Sequence, residues 1–121
     1  MARVSGRAYW RDEPNAGSAQ VQRAFVDASL SGDTEVIATQ GVGKKIRVLG
    51  LVVRSALAVA VRFKSAGSNN ISASYSLGIN DDLVFPEGEH GWFQTNANEP
   101  FVMNQSLAVS SGVKVIWMLI G

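Results

Sequence analysis

The chain has 121 residues and no cysteine. Disulfides, thiolate nucleophiles and sulfur-ligated zinc are therefore excluded among these residues, and the redox compartment is left unmarked. Histidine occurs once, as His90, in a loop rich in glycine and glutamate. To act as a general base it would need a nucleophile and an orienting carboxylate, and no G-x-S-x-G segment supplies them. It reads as an exposed turn residue. Charge of either sign is scarce: 11 basic and 10 acidic residues give a formal net charge of +1, which provides no field to concentrate nucleic acid or an anionic membrane. No apolar run approaches the roughly 20 residues of a membrane span. The opening MARVSGRAYWRDEP lacks the apolar core of a signal peptide. The expectation is a protein made in the cytoplasm, with no membrane and no nucleic acid among its partners.

A helical period is missing as well: no stretch keeps a 3.6-residue apolar repeat over the roughly 10 to 12 residues a helix needs. What is present is period-2 alternation. In the segment 57–64, Leu57, Val59, Val61 and Phe63 fall on one face, and Ala58, Ala60, Arg62 and Lys64 on the other. The preceding segment 44–54 places Ile46, Val48 and Val52 on one face and Leu49, Leu51 and Val53 on the other. Read as a hairpin through Ser55 and Ala56, the pair forms the centre of the fold, and its first strand asks for cover on both sides. The last strand, 113–120, poses the same demand: Val113, Val115, Trp117 and Leu119 face one way, Ile116, Met118 and Ile120 the other. Such a strand is a liability at an open edge and belongs inside a sheet or at a subunit contact. Further strands are expected at 19–29, with Val21 and Phe25 on one face and Val26 on the other, and at 34–39, 71–79, 83–85, 92–95 and 101–109. Ile71, Ala73, Tyr75, Leu77 and Ile79 alternate most cleanly, against a face of serines.

About eight strands separated by turn residues predict one all-β domain over 19–121. A two-sheet sandwich of jelly-roll type is the preferred architecture, with an up-and-down barrel as the alternative. Residues 1–18 show no sustained period and read as an extended N-terminal arm. Its Tyr9 and Trp10, with Arg3, Arg7 and Arg11, form a docking element for the same domain, a sister subunit or another protein.

Motifs that carry chemistry are few. Asp81, Asp82, Glu87 and Glu89 lie close together but match no calcium loop and read as solvated turns. Gly41-Val42-Gly43-Lys44-Lys45 lacks the spacing of a phosphate loop and precedes a strand. The sequence thus calls for no cofactor, metal or catalytic residue. Lys44, Lys45, Arg47, Arg54, Arg62 and Lys64 all lie in or beside the expected hairpin, as a patch for an acidic surface or a solvated face. Trp92, beside Phe93 on opposite faces of one strand, combines with Tyr75 as a candidate stacking platform for sugars or bases.

In the order of three short pieces, Gly43-Lys44-Lys45-Ile46-Arg47-Val48-Leu49, then Val61-Arg62-Phe63-Lys64-Ser65, then Phe85-Pro86 leading to Gly91-Trp92-Phe93-Gln94-Thr95, residues 33–120 resemble small bacteriophage virion proteins. The likeness is to capsid decoration, or cement, and head-associated β-sandwich proteins. It implies a non-enzymatic structural protein on the outside of a phage head, binding the major capsid protein as a symmetric homo-oligomer, often a trimer, after assembly in the host cytoplasm. Under that expectation the arm residues Arg3, Arg7, Tyr9, Trp10 and Arg11 grip the capsid. Leu49, Leu51, Val53, Ile116, Met118 and Ile120 supply core and subunit contacts. A tail or connector component, or a carbohydrate- or receptor-binding module using Tyr75 and Trp92, are the alternatives.

Overall fold

A computed structural model describes residues 21–121. The expected arm, with Arg3, Arg7, Tyr9, Trp10 and Arg11, lies outside the described residues. Ten strands follow: β1 (Val21–Ala28), β2 (Gly32–Ile37), β3 (Lys45–Ser55), β4 (Val59–Ser65), β5 (Asn69–Asn70), β6 (Tyr75–Leu77), β7 (Asp82–Phe85), β8 (Phe93–Gln94), β9 (Phe101–Gln105) and β10 (Ser111–Ile120). One antiparallel sheet runs β1-β10-β3, with β7 and β8 sharing the far side of β3. The other runs β2-β9-β4, with β5 and β6 sharing the far side of β4. Counting each broken pair as one position leaves eight, and the chain switches sheets at every step except that from β4 to β5 and β6, which stay together. That alternation is the jelly-roll winding.

The sandwich closes over an apolar interior in which Ile46, Val48, Leu51 and Val53 of β3 and Val113, Val115 and Trp117 of β10 meet Val59, Val61 and Phe63 of β4 and Phe101 and Met103 of β9. Phe63 sits at its centre, fully buried. Its ring lies 5.3 Å from Phe93, 5.7 Å from Phe101, and 6.4 Å from both Tyr75 and Phe85, centroid to centroid. Offset and edge-on pairs of this kind add to the area they bury.

The two-sided apolar pattern of β3 has a local cause. Against β10, Gly50 pairs with Ile116 and Val48 with Trp117, so Leu49 is an extra residue in the ladder, a β-bulge. The bulge reverses the parity of the strand. Ile46 and Val48 before it, and Leu51 and Val53 after it, therefore enter one and the same interior, while Val52 turns outward and is 37% exposed. The expectation that β3 presents two apolar faces is corrected accordingly. Leu49 itself is buried but stands apart from the interior cluster. Its neighbour Gly50 runs so close to the 86–91 loop that a Cβ there would meet the Glu87 Cα at 3.0 Å.

Two further expectations are corrected. The strands 44–54 and 57–64 do not form a hairpin, because β3 and β4 belong to different sheets; alternation marks the face a strand buries and is silent on its partner. The backbone N–H groups that such a turn would satisfy are bonded to other loops, Ser55 to Asp81 O and Ala56 to Ser110 O. The clean alternation of 71–79 yields only β6, since the Ser72 hydroxyl accepts the Phe63 N–H at 2.9 Å and donates to Ala73 O at 2.7 Å. A side chain there occupies the place of a ladder carbonyl and lifts the backbone away. β10, by contrast, lies inside its sheet between β1 and β3, as its two-sided pattern requires.

Candidate functional site

Outward-facing residues of the β1-β10-β3-β7 sheet form the first surface of interest. Phe25, Lys114, Val52 and Val84 are paired in succession across four strands. Phe25 is 72% exposed and Val84 54% exposed, so a row that would ordinarily be polar on a one-sided sheet carries three large apolar side chains. Ile116, Met118 and Ile120 share this outer face, half-buried. Leu51 and Val53 point inward instead. The six strand residues expected at core and subunit contacts thus divide: two in the interior, Leu49 buried at the bulge, and three on the outer surface.

The 86–94 segment builds the second surface. Gly91 has φ of +78°, and a Cβ there would meet Arg47 Cγ and Val48 O at 2.9 Å. Glycine therefore lets the loop close on β3, where Trp92 N–H bonds Val48 O at 2.8 Å. The indole N–H of Trp92 donates to Pro86 O at 2.7 Å, and the ring packs 5.3 Å from Phe85. So held, the indole keeps about half its surface in solvent. Beside it lies an open cleft of about 180 Å³ lined by Arg47, His90, Gly91, Trp92, Phe93 and Gln94. Arg47 Nε donates to Gln94 Oε1 at 3.0 Å. Tyr75 lies elsewhere, with its ring 5.6 Å from Phe85 and joined to the Phe63 cluster. The structure does not bring Tyr75 and Trp92 together as one platform; Phe85 stands between them. Phe93 packs inward, the reverse of Trp92.

The acidic turn residues have local duties. Asp81 accepts the Gly78 N–H at 2.9 Å, and Asp82 accepts from Arg54 at 2.7 and 3.1 Å. That hydrogen bond, with the attraction between the charges, holds Asp82 below the usual carboxylate range and raises Arg54 further. Among the described residues no group of three potential metal ligands forms. The six basic residues do not make one patch: Arg47 and Arg54 belong to the first sheet, Arg62 and Lys64 to the second. Lys64 pairs with Asp33 at 3.2 Å, and Lys44 donates to Gly121 O at 2.9 Å.

One polar cluster escaped sequence reasoning. Glu99 accepts from the buried Ser65 hydroxyl at 2.6 Å, and from Asn96 and Asn69 at 3.2 and 3.3 Å. These donors, Ser65 foremost, lower its pKa against a smaller opposing effect of burial. The four residues are scattered along the chain and match no motif.

No family model matches the chain, and no curated protein matches it. A solved structure from work on Bacillus endospore appendages, described there as a novel family of disulfide-linked pili, is similar in fold. The TM-score is 0.52 over 98% of this chain and 96% of that one, at 8% sequence identity.

Proposed function

We propose that the protein is a structural virion component, a decoration protein that binds the outside of a phage capsid as a symmetric homo-oligomer and takes no part in catalysis. The observation that carries this reading is the cross-strand row of Phe25, Val52 and Val84 on the outer face of a sandwich whose interior is already filled. Apolar area held outside a complete core is suited to a protein partner. Repetition of one modest contact over a shell makes total binding strong through avidity. The similarity in fold to a pilus subunit is in keeping with a role in assembly. A chain without cysteine cannot copy a disulfide linkage. The arm residues Arg3, Arg7, Tyr9, Trp10 and Arg11 supply the grip on the major capsid protein. Deleting residues 1–13 is expected to abolish co-sedimentation with expanded capsids while leaving the circular dichroism spectrum of the sandwich unchanged. Retained binding would remove the arm from the reading, and failure of the intact chain to bind any capsid would remove the reading itself.

The pinned, half-exposed Trp92 beside Arg47 and Gln94 supports a second reading, a carbohydrate-binding module. A sugar could stack on the indole of Trp92 and bond to the guanidinium of Arg47 within that cleft. Trp92→Ala gives up the packing on Phe85 and the bond to Pro86 O, a loss of about 1 to 2 kcal/mol, so binding is compared at a temperature where circular dichroism shows both proteins folded. A glycan array that binds the parent chain and not this variant would favour the module. An array blank for both would discard it.

A further inference from the structure

Three of the four edges of this sandwich are interrupted. β2 shifts register against β9 between Glu35 and Ile37. The outer side of β4 carries only the fragments β5 and β6, and that of β3 only β7 and β8. β1 differs: its eight residues pair with β10 without a register shift, and among the described residues no strand lies on its other side. Natural edges are protected by proline, lysine, bulges or inward-pointing charges. β1, with sequence VQRAFVDA, has no proline, lysine, bulge or inward-pointing charge, and its two outward charges, Arg23 and Asp27, are of opposite sign.

Its sequence is self-complementary about Phe25. Set antiparallel to a second copy across a two-fold axis at Phe25, Arg23 stands opposite the partner's Asp27 and Asp27 opposite the partner's Arg23. Phe25 meets the partner's Phe25 between these ion pairs, and Ala24 meets the partner's Val26. The faces agree as well. Arg23, Phe25 and Asp27 all point outward and are exposed, whereas Ala24 and Val26 are half-buried at the margin of the core. Both faces of the join are therefore satisfied, by opposite charges flanking an aromatic contact outside and by alkyl groups inside.

We propose that β1 pairs edge to edge with β1 of a second copy, fusing two β1-β10-β3-β7 sheets into one continuous sheet in an isologous dimer. A two-fold contact closes on itself, so it ends at two chains instead of propagating into a fibre. The proposal shares Phe25 with the apolar row behind the capsid reading, but its test is made on the purified protein alone, so the dimer can fail while the intact chain still binds capsids, and the reverse.

The test uses the full chain and two charge variants. Arg23→Asp places Asp opposite Asp twice in each dimer, and Asp27→Arg places Arg opposite Arg twice. Each alone is expected to raise the dimer dissociation constant roughly tenfold to a hundredfold, as like charges directly opposite replace attraction with repulsion. Mixed in equal amounts, the two variants regain opposite charges at both positions, and sedimentation velocity should show the heterodimer at parent-like affinity. Because Arg23 and Asp27 are exposed, thermal midpoints measured on monomers should match the parent's. Phe25→Cys gives a second readout in a chain with no other cysteine. Antiparallel partners lie about 4.5 to 5.5 Å apart at Cα, within disulfide range, so mild oxidation should give a covalent dimer. A monomeric parent at about 1 mM, a parent trimer indifferent to both charge changes, or two variants that do not associate when mixed would each overturn the proposal.

Discussion

Deleting Leu49 should be far less harmful than deleting Val52, although Leu49 is 4% exposed and Val52 is 37% exposed. Leu49 is the extra residue of the bulge. Without it, Gly50 still faces Ile116 and Val48 still faces Trp117, now as consecutive pairs of a regular ladder. Ile46, Val48, Leu51 and Val53 keep their inward direction. The losses are the burial of one leucine, about 2 kcal/mol, and the carbonyl that accepts the Gly88 N–H at 3.0 Å, about 1 kcal/mol. A cost of about 3 kcal/mol leaves a domain of ordinary stability, about 5 to 15 kcal/mol, folded. Removing Val52 instead slides Val53 to the outward position opposite Lys114 and brings Arg54 to the inward position opposite Val113. An unpaired guanidinium in that apolar interior costs several kcal/mol, beyond the lost burial of Val53. Urea titration followed by circular dichroism measures both. With a slope of about 1 to 3 kcal/mol per molar urea, the Leu49 deletion should keep a cooperative transition with its midpoint lowered by roughly 1 to 3 M, and the Val52 deletion should show none. A cooperative transition for the Val52 deletion with none for the Leu49 deletion would refute the assignment of the bulge.

Phe63→Ala removes the ring around which Tyr75, Phe85, Phe93 and Phe101 are arranged, and should destabilise the fold by about 3 to 5 kcal/mol; a loss under about 1 kcal/mol in the same urea assay would mean that the cluster repacks. Acid sensitivity should trace in part to Glu99, whose folded pKa lies below its ordinary 4.5 because Ser65, Asn96 and Asn69 donate to the ionised form. A lowered folded pKa stabilises above the unfolded value and loses that contribution as pH falls through the folded one. Thermal midpoints of Glu99→Gln should therefore lie below the parent's at about pH 7 and converge with them as pH falls through and below the lowered folded pKa; parallel curves would show that the charge contributes nothing.

How much of this could be read from the residues follows from what alternation encodes. A period of two reports which face of a strand is dry, and the inward sets of β4 and β10 follow directly from it. It carries no information about sheet partners, which is why 44–54 and 57–64 resemble a hairpin while β3 and β4 sit in opposite layers. It also assumes an unbroken ladder. One bulge at Leu49 turned a one-sided strand into an apparently two-sided one, and the Ser72 hydroxyl dissolved a strand whose pattern was the cleanest of all. Neither event has a strong local signature, since Leu-Gly-Leu and Ser-Ala-Ser also occur in regular strands. Turn chemistry fared better: Asn80 adopts positive φ beside Asp81 and Asp82, which read as turn residues.

The candidate surfaces were harder to see than the core for a related reason. Phe25, Val52 and Val84 become neighbours only through the pairing of β1, β10, β3 and β7, and parity alone assigned Val52 to the same face as Ile46 and Val48. Trp92 was legible as an unusual residue, yet its pinning to Pro86 O and its separation from Tyr75 depend on where Phe85 enters the core. The charge symmetry of Arg23 and Asp27 about Phe25 was present in the sequence throughout. It acquires meaning only with the knowledge that β1 is an edge among the described residues, because the same arrangement inside a sheet would face β10 and another strand of the same chain. In a sandwich fold the interior is set by composition along each strand, whereas association is set by which strand is left at the margin. That second property belongs to the winding, and a jelly roll that leaves its longest unbroken edge charge-matched to itself has the means to select a second copy of the same chain.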